Sequence, residues 1–86
     1  MGGFFWDPRK NLKLQHERGM TFERIMEADL IKIKKSPRRL HQGFMIFDRE
    51  GSIWVVPYVR HEDGIFLKTL YRDRKLTRRY QRGEML

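Results

Sequence analysis

The sequence predicts an α+β fold: two amino-terminal helices packed on an antiparallel sheet of three to four strands, followed by a short basic carboxy-terminal helix. Three observations carry that expectation. Asp7-Pro8 opens a helical stretch that Gly19 closes, aromatic and β-branched residues crowd residues 44–47, 53–59 and 65–71, and a dense run of Arg and Lys extends from Arg72 to Arg82.

The first helix is expected over residues 8–18, after a short aromatic run, Phe4-Phe5-Trp6. Asp7 supplies a capping side chain, and Pro8 sits where a helix has no partner for an N–H. Thr21 opens a second helix over residues 22–30, whose apolar stripe is Phe22, Ile25 and Met26, with Asp29-Leu30 at its end. Residues 31–42 crowd Lys32, Lys34, Lys35, Arg38 and Arg39 around Pro37 and read as an exposed loop. Residues 44–47 and 53–59, separated by Asp48-Arg49-Glu50-Gly51, form a hairpin, and a third strand over 65–71 completes the meander. Pro57 cannot donate to a ladder, so the middle strand must bulge or face an edge there. Trp54, Val56 and Tyr58 alternate with Ile53, Val55, Pro57 and Val59, which makes both faces of the sheet apolar. Two short helices do not cover both, leaving apolar surface for the last helix or for another polypeptide.

Composition narrows the function. A chain of 86 residues with 40% hydrophobic residues suits one domain, residues 1–86, with a modest core. Nineteen Lys and Arg against 11 Asp and Glu give a net charge of +8, which points first to nucleic acid as a partner and second to an acidic protein. The absence of cysteine excludes a disulfide framework and a zinc ribbon. No apolar run approaches the ~20 residues of a membrane span, and Met1-Gly2-Gly3-Phe4 does not lead into a secretory leader, so a cytoplasmic protein is expected. His16, His41 and His61 fall in different elements without ligand spacing, so neither a metal nor another cofactor is expected. There is no Gly-rich phosphate loop and no serine nucleophile elbow.

The basic tail remains. At about 100° per residue, Leu76 and Tyr80 share one side of the last helix while Arg74, Lys75, Arg78, Arg79 and Arg82 share the other. Crowded like charges are unfavourable without a polyanion nearby, although a solvated basic face has the same pattern. RNA can be cleaved without a metal when its own 2′-hydroxyl attacks the adjacent phosphate, which requires a base, a cationic clamp and an acid. Lys68 and Lys75 are the expected bases, because neighbouring guanidinium groups disfavour their charged form. Arg72, Arg74 and Arg78 would grip phosphate oxygens, and Tyr80 or His61 could shuttle a proton. Lys34, Lys35, Arg38, Arg39, Arg79 and Arg82 would add contacts to the RNA backbone.

Two segments near the start, Trp6-Asp7-Pro8-Arg9-Lys10-Asn11 and Arg18-Gly19-Met20-Thr21-Phe22-Glu23, resemble the opening of the BrnT family, the toxin halves of bacterial toxin–antitoxin pairs. Val55-Val56-Pro57-Tyr58-Val59, Ile65-Phe66-Leu67-Lys68-Thr69, Arg74-Lys75-Leu76-Thr77 and Tyr80 are similar to the second half of one BrnT-like branch. Three departures stand out: Arg72-Asp73 replaces a Pro-Ser pair, the segment before Gln42 is shortened with Arg38 where an Asn is expected after Pro37, and Arg18 stands where founding members carry a histidine before the glycine. The resemblance implies a RelE-like fold, a metal-independent endoribonuclease that arrests translation, and a cognate antitoxin, usually of ribbon-helix-helix type. It also implies that Lys68, Arg74, Lys75 and Tyr80 are the matched positions that matter. A net charge of +8 without a complete acid–base pair equally suits a non-catalytic module that binds RNA or the antitoxin on the same fold.

Overall fold

In the computed structural model, which describes residues 3–86, one mixed sheet carries three helices. The order is β1 (Gly3–Phe5), α1 (Pro8–Arg18), α2 (Phe22–Ile25), β2 (Asp29–Lys35), β3 (Gln42–Arg49), β4 (Ser52–His61), β5 (Gly64–Leu67), β6 (Tyr71–Arg72) and α3 (Arg74–Gln81). Strands run β1-β5-β4-β3-β2 across the sheet, and β6 pairs with the first half of β4. Among the described residues no helix is long and apolar enough to cross a membrane.

Helix α1 forms as the sequence predicts. Asp7 Oδ1 accepts from Arg9 N at 2.9 Å, Pro8 takes the first helical position, and Gly19 adopts a left-handed φ of 65° at the stop. The β3–β4 hairpin also forms as expected, closing with Glu50 and Gly51 at φ 54° and 85°, the positive pair that a two-residue turn between twisted strands requires.

Four expectations are corrected. The second helix is a single turn ending at Ile25, not at residue 30. Residues 29–35, read as helix end and loop, form strand β2, antiparallel to β3, with a bulge between Leu30 and Lys32. The aromatic run overlaps strand β1, which pairs parallel to β5, so the sheet is mixed rather than antiparallel and has more than four strands. The third strand is broken into β5 and β6.

Pro57 explains the break. Its carbonyl accepts from Lys68 N at 2.9 Å, and in an antiparallel ladder the N–H and C=O of one residue face the same neighbour. The missing donor therefore points at the partner strand, where pairing lapses. Pro57 lies opposite Lys68 and Val55 opposite Tyr71, so two steps on β4 match three on its partner. The bulge drives Leu70 into the core, where it is fully buried.

One face of the sheet buries Met45, Phe47, Trp54, Val56, Tyr58 and Leu67 against Leu14, Met20, Phe22 and Ile25 from the α1–α2 layer. Asn11 ties that layer together: its Oδ1 accepts from Phe22 N at 2.8 Å and its Nδ2 donates to Glu23 Oε1 at 2.6 Å. On the other face α3 lies over the start of β4, and Ile46, Ile53 and Val55 are buried there. Thr77 fixes the helix in place, since its Oγ1 accepts from Ile53 N at 2.9 Å and donates to Asp73 O at 2.6 Å. Thr77→Val keeps the shape but leaves the buried Ile53 N–H without a partner. Urea unfolding should show a loss of about 1–3 kcal/mol, with faster amide exchange at Ile53; an unchanged midpoint would contradict this role.

Candidate functional site

The bulge that breaks the third strand also sets the site. Beyond it, Arg72 lies opposite Trp54 on the α1 side of the sheet, and Tyr71 lies opposite Val55 on the α3 side. Asp73 N then donates to Ile53 O at 2.8 Å, and the Asp73 carboxylate caps α3 by accepting from Leu76 N at 2.9 Å. Arg74 is thus held at the first helical position. From across the molecule comes Arg18, the last residue of α1, whose guanidinium donates to the carbonyl of Leu70.

Arg18, Trp54, Tyr71, Arg72 and Arg74 line a cleft of about 380 Å³ at this corner. Arg72 Nε donates to Ser52 Oγ at 3.1 Å, which leaves its terminal nitrogens for a ligand. Burial, and secondarily the Asp73 carboxylate, push the Tyr71 hydroxyl above its ordinary range, so it is a protonated donor at neutral pH. Three guanidinium groups and one phenol, with no carboxylate in the lining, give the cleft positive charge and hydrogen-bond donors of the kind that suit a phosphodiester. A cleft of similar size is lined by Arg24 and Arg49 with Glu27, Asp29, Asp48 and Glu50, and its excess of carboxylates repels such a ligand.

Of the residues singled out from sequence, Arg72 and Arg74 meet in the cleft. Lys68 is exposed just before the break, outside the lining, and Lys75 is exposed on α3. Tyr80 lies six residues, about 9 Å of helix, beyond Arg74, and donates to Asp48 Oδ2 at 2.7 Å. That hydrogen bond pushes its hydroxyl above the ordinary range, and it borders a separate cleft with Lys32 and Leu86. Arg79 and Arg82 share Glu84, at 3.2 and 2.9 Å, and their hydrogen bonds hold its carboxyl below the usual range. Arg78 is exposed; Lys34 and Lys35 lie on β2, and Arg38 and Arg39 in the β2–β3 connection. His61 borders another cleft with His41, Arg60 and Glu62. Sequence reasoning assigned no role to Trp54, Tyr71 or Arg18; for Arg18 the signal was its departure from the BrnT pattern.

No protein-family model and no curated protein sequence matches the chain. A solved structure does: the 1.1 Å crystal structure of the Brucella abortus ribonuclease toxin BrnT superposes with a TM-score of 0.58, covering 85% of this chain and 97% of that one. The chain has a BrnT-like fold. At 16% identity the likeness is one of backbone, so it carries architecture and leaves the cleft to be read from its own residues. On this BrnT-like framework the three arginines come from a helix end, a two-residue strand and a helix start; the Leu70 carbonyl holds the Arg18 guanidinium, and Asp73, between Arg72 and Arg74, is fixed by Ile53 O and by its cap on Leu76 N.

The two raised phenols set an alkaline limit. A folded phenol that keeps its proton above the unfolded value of about 10 makes the folded state bind more protons than the unfolded state. Their contribution is complete below that pH and falls as pH rises through the folded values of Tyr71 and Tyr80. Urea midpoints for the wild type should drop more steeply above about pH 10 than those of Tyr71→Phe/Tyr80→Phe; parallel curves would contradict the assignment.

Proposed function

We propose that this protein is the toxin of a type II toxin–antitoxin pair, a metal-independent endoribonuclease that cuts RNA in the cytoplasm and so inhibits translation. The observation that carries this reading is the meeting of Arg18, Arg72 and Arg74 around one cleft, on a fold it shares with a ribonuclease toxin.

The chemistry follows from the side chains. The 2′-oxygen of the substrate attacks phosphorus while its proton leaves to solvent; the P–O5′ bond breaks and the departing 5′-oxygen takes up a proton from solvent, giving a 2′,3′-cyclic phosphate and a 5′-hydroxyl end. Negative charge on the non-bridging oxygens peaks in the pentavalent transition state, where fixed guanidinium donors in a recessed site are most effective. The neutral Tyr71 hydroxyl donates a hydrogen bond to the departing 5′-oxygen. Lys68, beside the cleft in the chain, meets a neighbouring phosphate. A cognate antitoxin of ribbon-helix-helix type would silence the enzyme by covering the cationic corner.

No lining residue of the cleft is of a type that titrates near neutrality, and this favours a second reading. The same site would then hold RNA or the antitoxin without cutting.

One experiment separates the two. Purified protein with a labelled RNA in chelator should release fragments with cyclic-phosphate ends. Arg72→Ala and Arg74→Ala should each slow the reaction about 10²-fold, and Lys13→Ala, on the exposed side of α1, should not. The rate should climb with pH without a break near 6.5, where a histidine shuttle would bend it. Intact RNA held tightly and released by salt would establish the binding module instead. Expression in bacteria should arrest growth for the wild type and Lys13→Ala, and not for Arg72→Ala or Arg74→Ala.

A further inference from the structure

Helix α3 covers only part of its face of the sheet. Away from it, the same face presents aromatic rings to solvent: Phe5 is 40% exposed and Phe44 39%. Phe5 and Phe66, paired across β1 and β5, hold their ring centres 5.4 Å apart, and His61 sits 5.8 Å from Phe5.

These groups fall in a column that starts at the arginine cleft. Tyr71, which lines the cleft, lies opposite Val55; Lys68, exposed beside buried Leu67, lies opposite Pro57; Phe66 lies opposite Val59. Each step covers two residues of β4, about 7 Å, which is of the order of the spacing of nucleotides along an extended single strand. Phe5 and His61 continue it at the far end. The partnered positions on this half of the face carry no carboxylate, and Glu62 and Asp63 lie in the turn beyond it. Aromatic rings alternating with a cation and leading into a guanidinium pocket have the chemistry of a single-strand groove: bases stack on the rings while phosphates meet the cation.

We infer that this column, Tyr71, Lys68, Phe66, Phe5 and His61, is a track for the single-stranded RNA that flanks the phosphate in the arginine cleft. The inference rests on the RNA reading of that cleft and adds where the rest of the strand lies. The track recognises unpaired bases by their π-faces, so the substrate class is single-stranded RNA rather than duplex.

The test uses 2′-O-methyl oligonucleotides, which lack the attacking hydroxyl and report binding alone. The wild type should bind an oligomer of about eight nucleotides more tightly than a dinucleotide, which fills the cleft only. Phe5→Leu keeps an apolar strand residue but removes the ring. It should weaken the longer oligomer about tenfold, the weight of one base–aromatic stack, and leave the dinucleotide unchanged. Phe5→Tyr should restore the affinity, and circular dichroism should show both variants folded. Equal affinity of Phe5→Leu and wild type for the longer oligomer overturns the track while leaving the cleft intact. That result, joined to protection of Phe5 by an acidic polypeptide, would assign the face to protein docking instead. Failure of the wild type to bind either oligonucleotide overturns the track together with the RNA reading of the cleft.

Discussion

A missing hydrogen atom organises this molecule. Pro57 sits in the central strand of the sheet with no N–H to offer, and the partner strand leaves the ladder opposite it. In the detour Leu70 enters the core and its carbonyl becomes the acceptor for Arg18; the chain then re-engages one register later and delivers Tyr71, Arg72 and Arg74 to a single corner. Fold and site thus share one cause.

The arrangement also shows how a small protein concentrates charge. Two of the three arginines have a backbone or hydroxyl acceptor that fixes the side chain without neutralising it, Leu70 O for Arg18 and Ser52 Oγ for Arg72. Arg79 and Arg82, by contrast, are paired with Glu84, which cancels much of their field. The division separates cations left free for a ligand from cations that hold down the end of the chain, although Arg72, Arg74, Arg79 and Arg82 belong to one basic run in sequence.

Where local signals agree with burial, the sequence was readable. Asp7-Pro8 and Gly19 delimit α1 because each meets a backbone requirement of a helix end; Glu50 and Gly51 mark the hairpin because only certain residues accept a positive φ. Strand β2 escaped because all seven of its residues are exposed, so hydrophobic alternation had nothing to register, and it is held by backbone pairing with β3. Strand β1 escaped because three residues pair with a strand some sixty positions later. At the site, Arg72 and Arg74 stood out in the charge run. Arg18 and Trp54 did not, since only the fold brings Arg18 beside Leu70, 52 residues away.

The outer border of β2 has a consequence of its own. An unpaired strand edge invites a strand from another copy, and a flat run of Leu30, Ile31 and Ile33 would be a ready template for stacking. The bulge between Leu30 and Lys32 twists that border, and Lys32, Lys34 and Lys35 place repelling charge along it. The lysines that add to the molecule's net positive charge therefore also guard it against amyloid-like self-assembly, so replacing them would uncover the edge they protect.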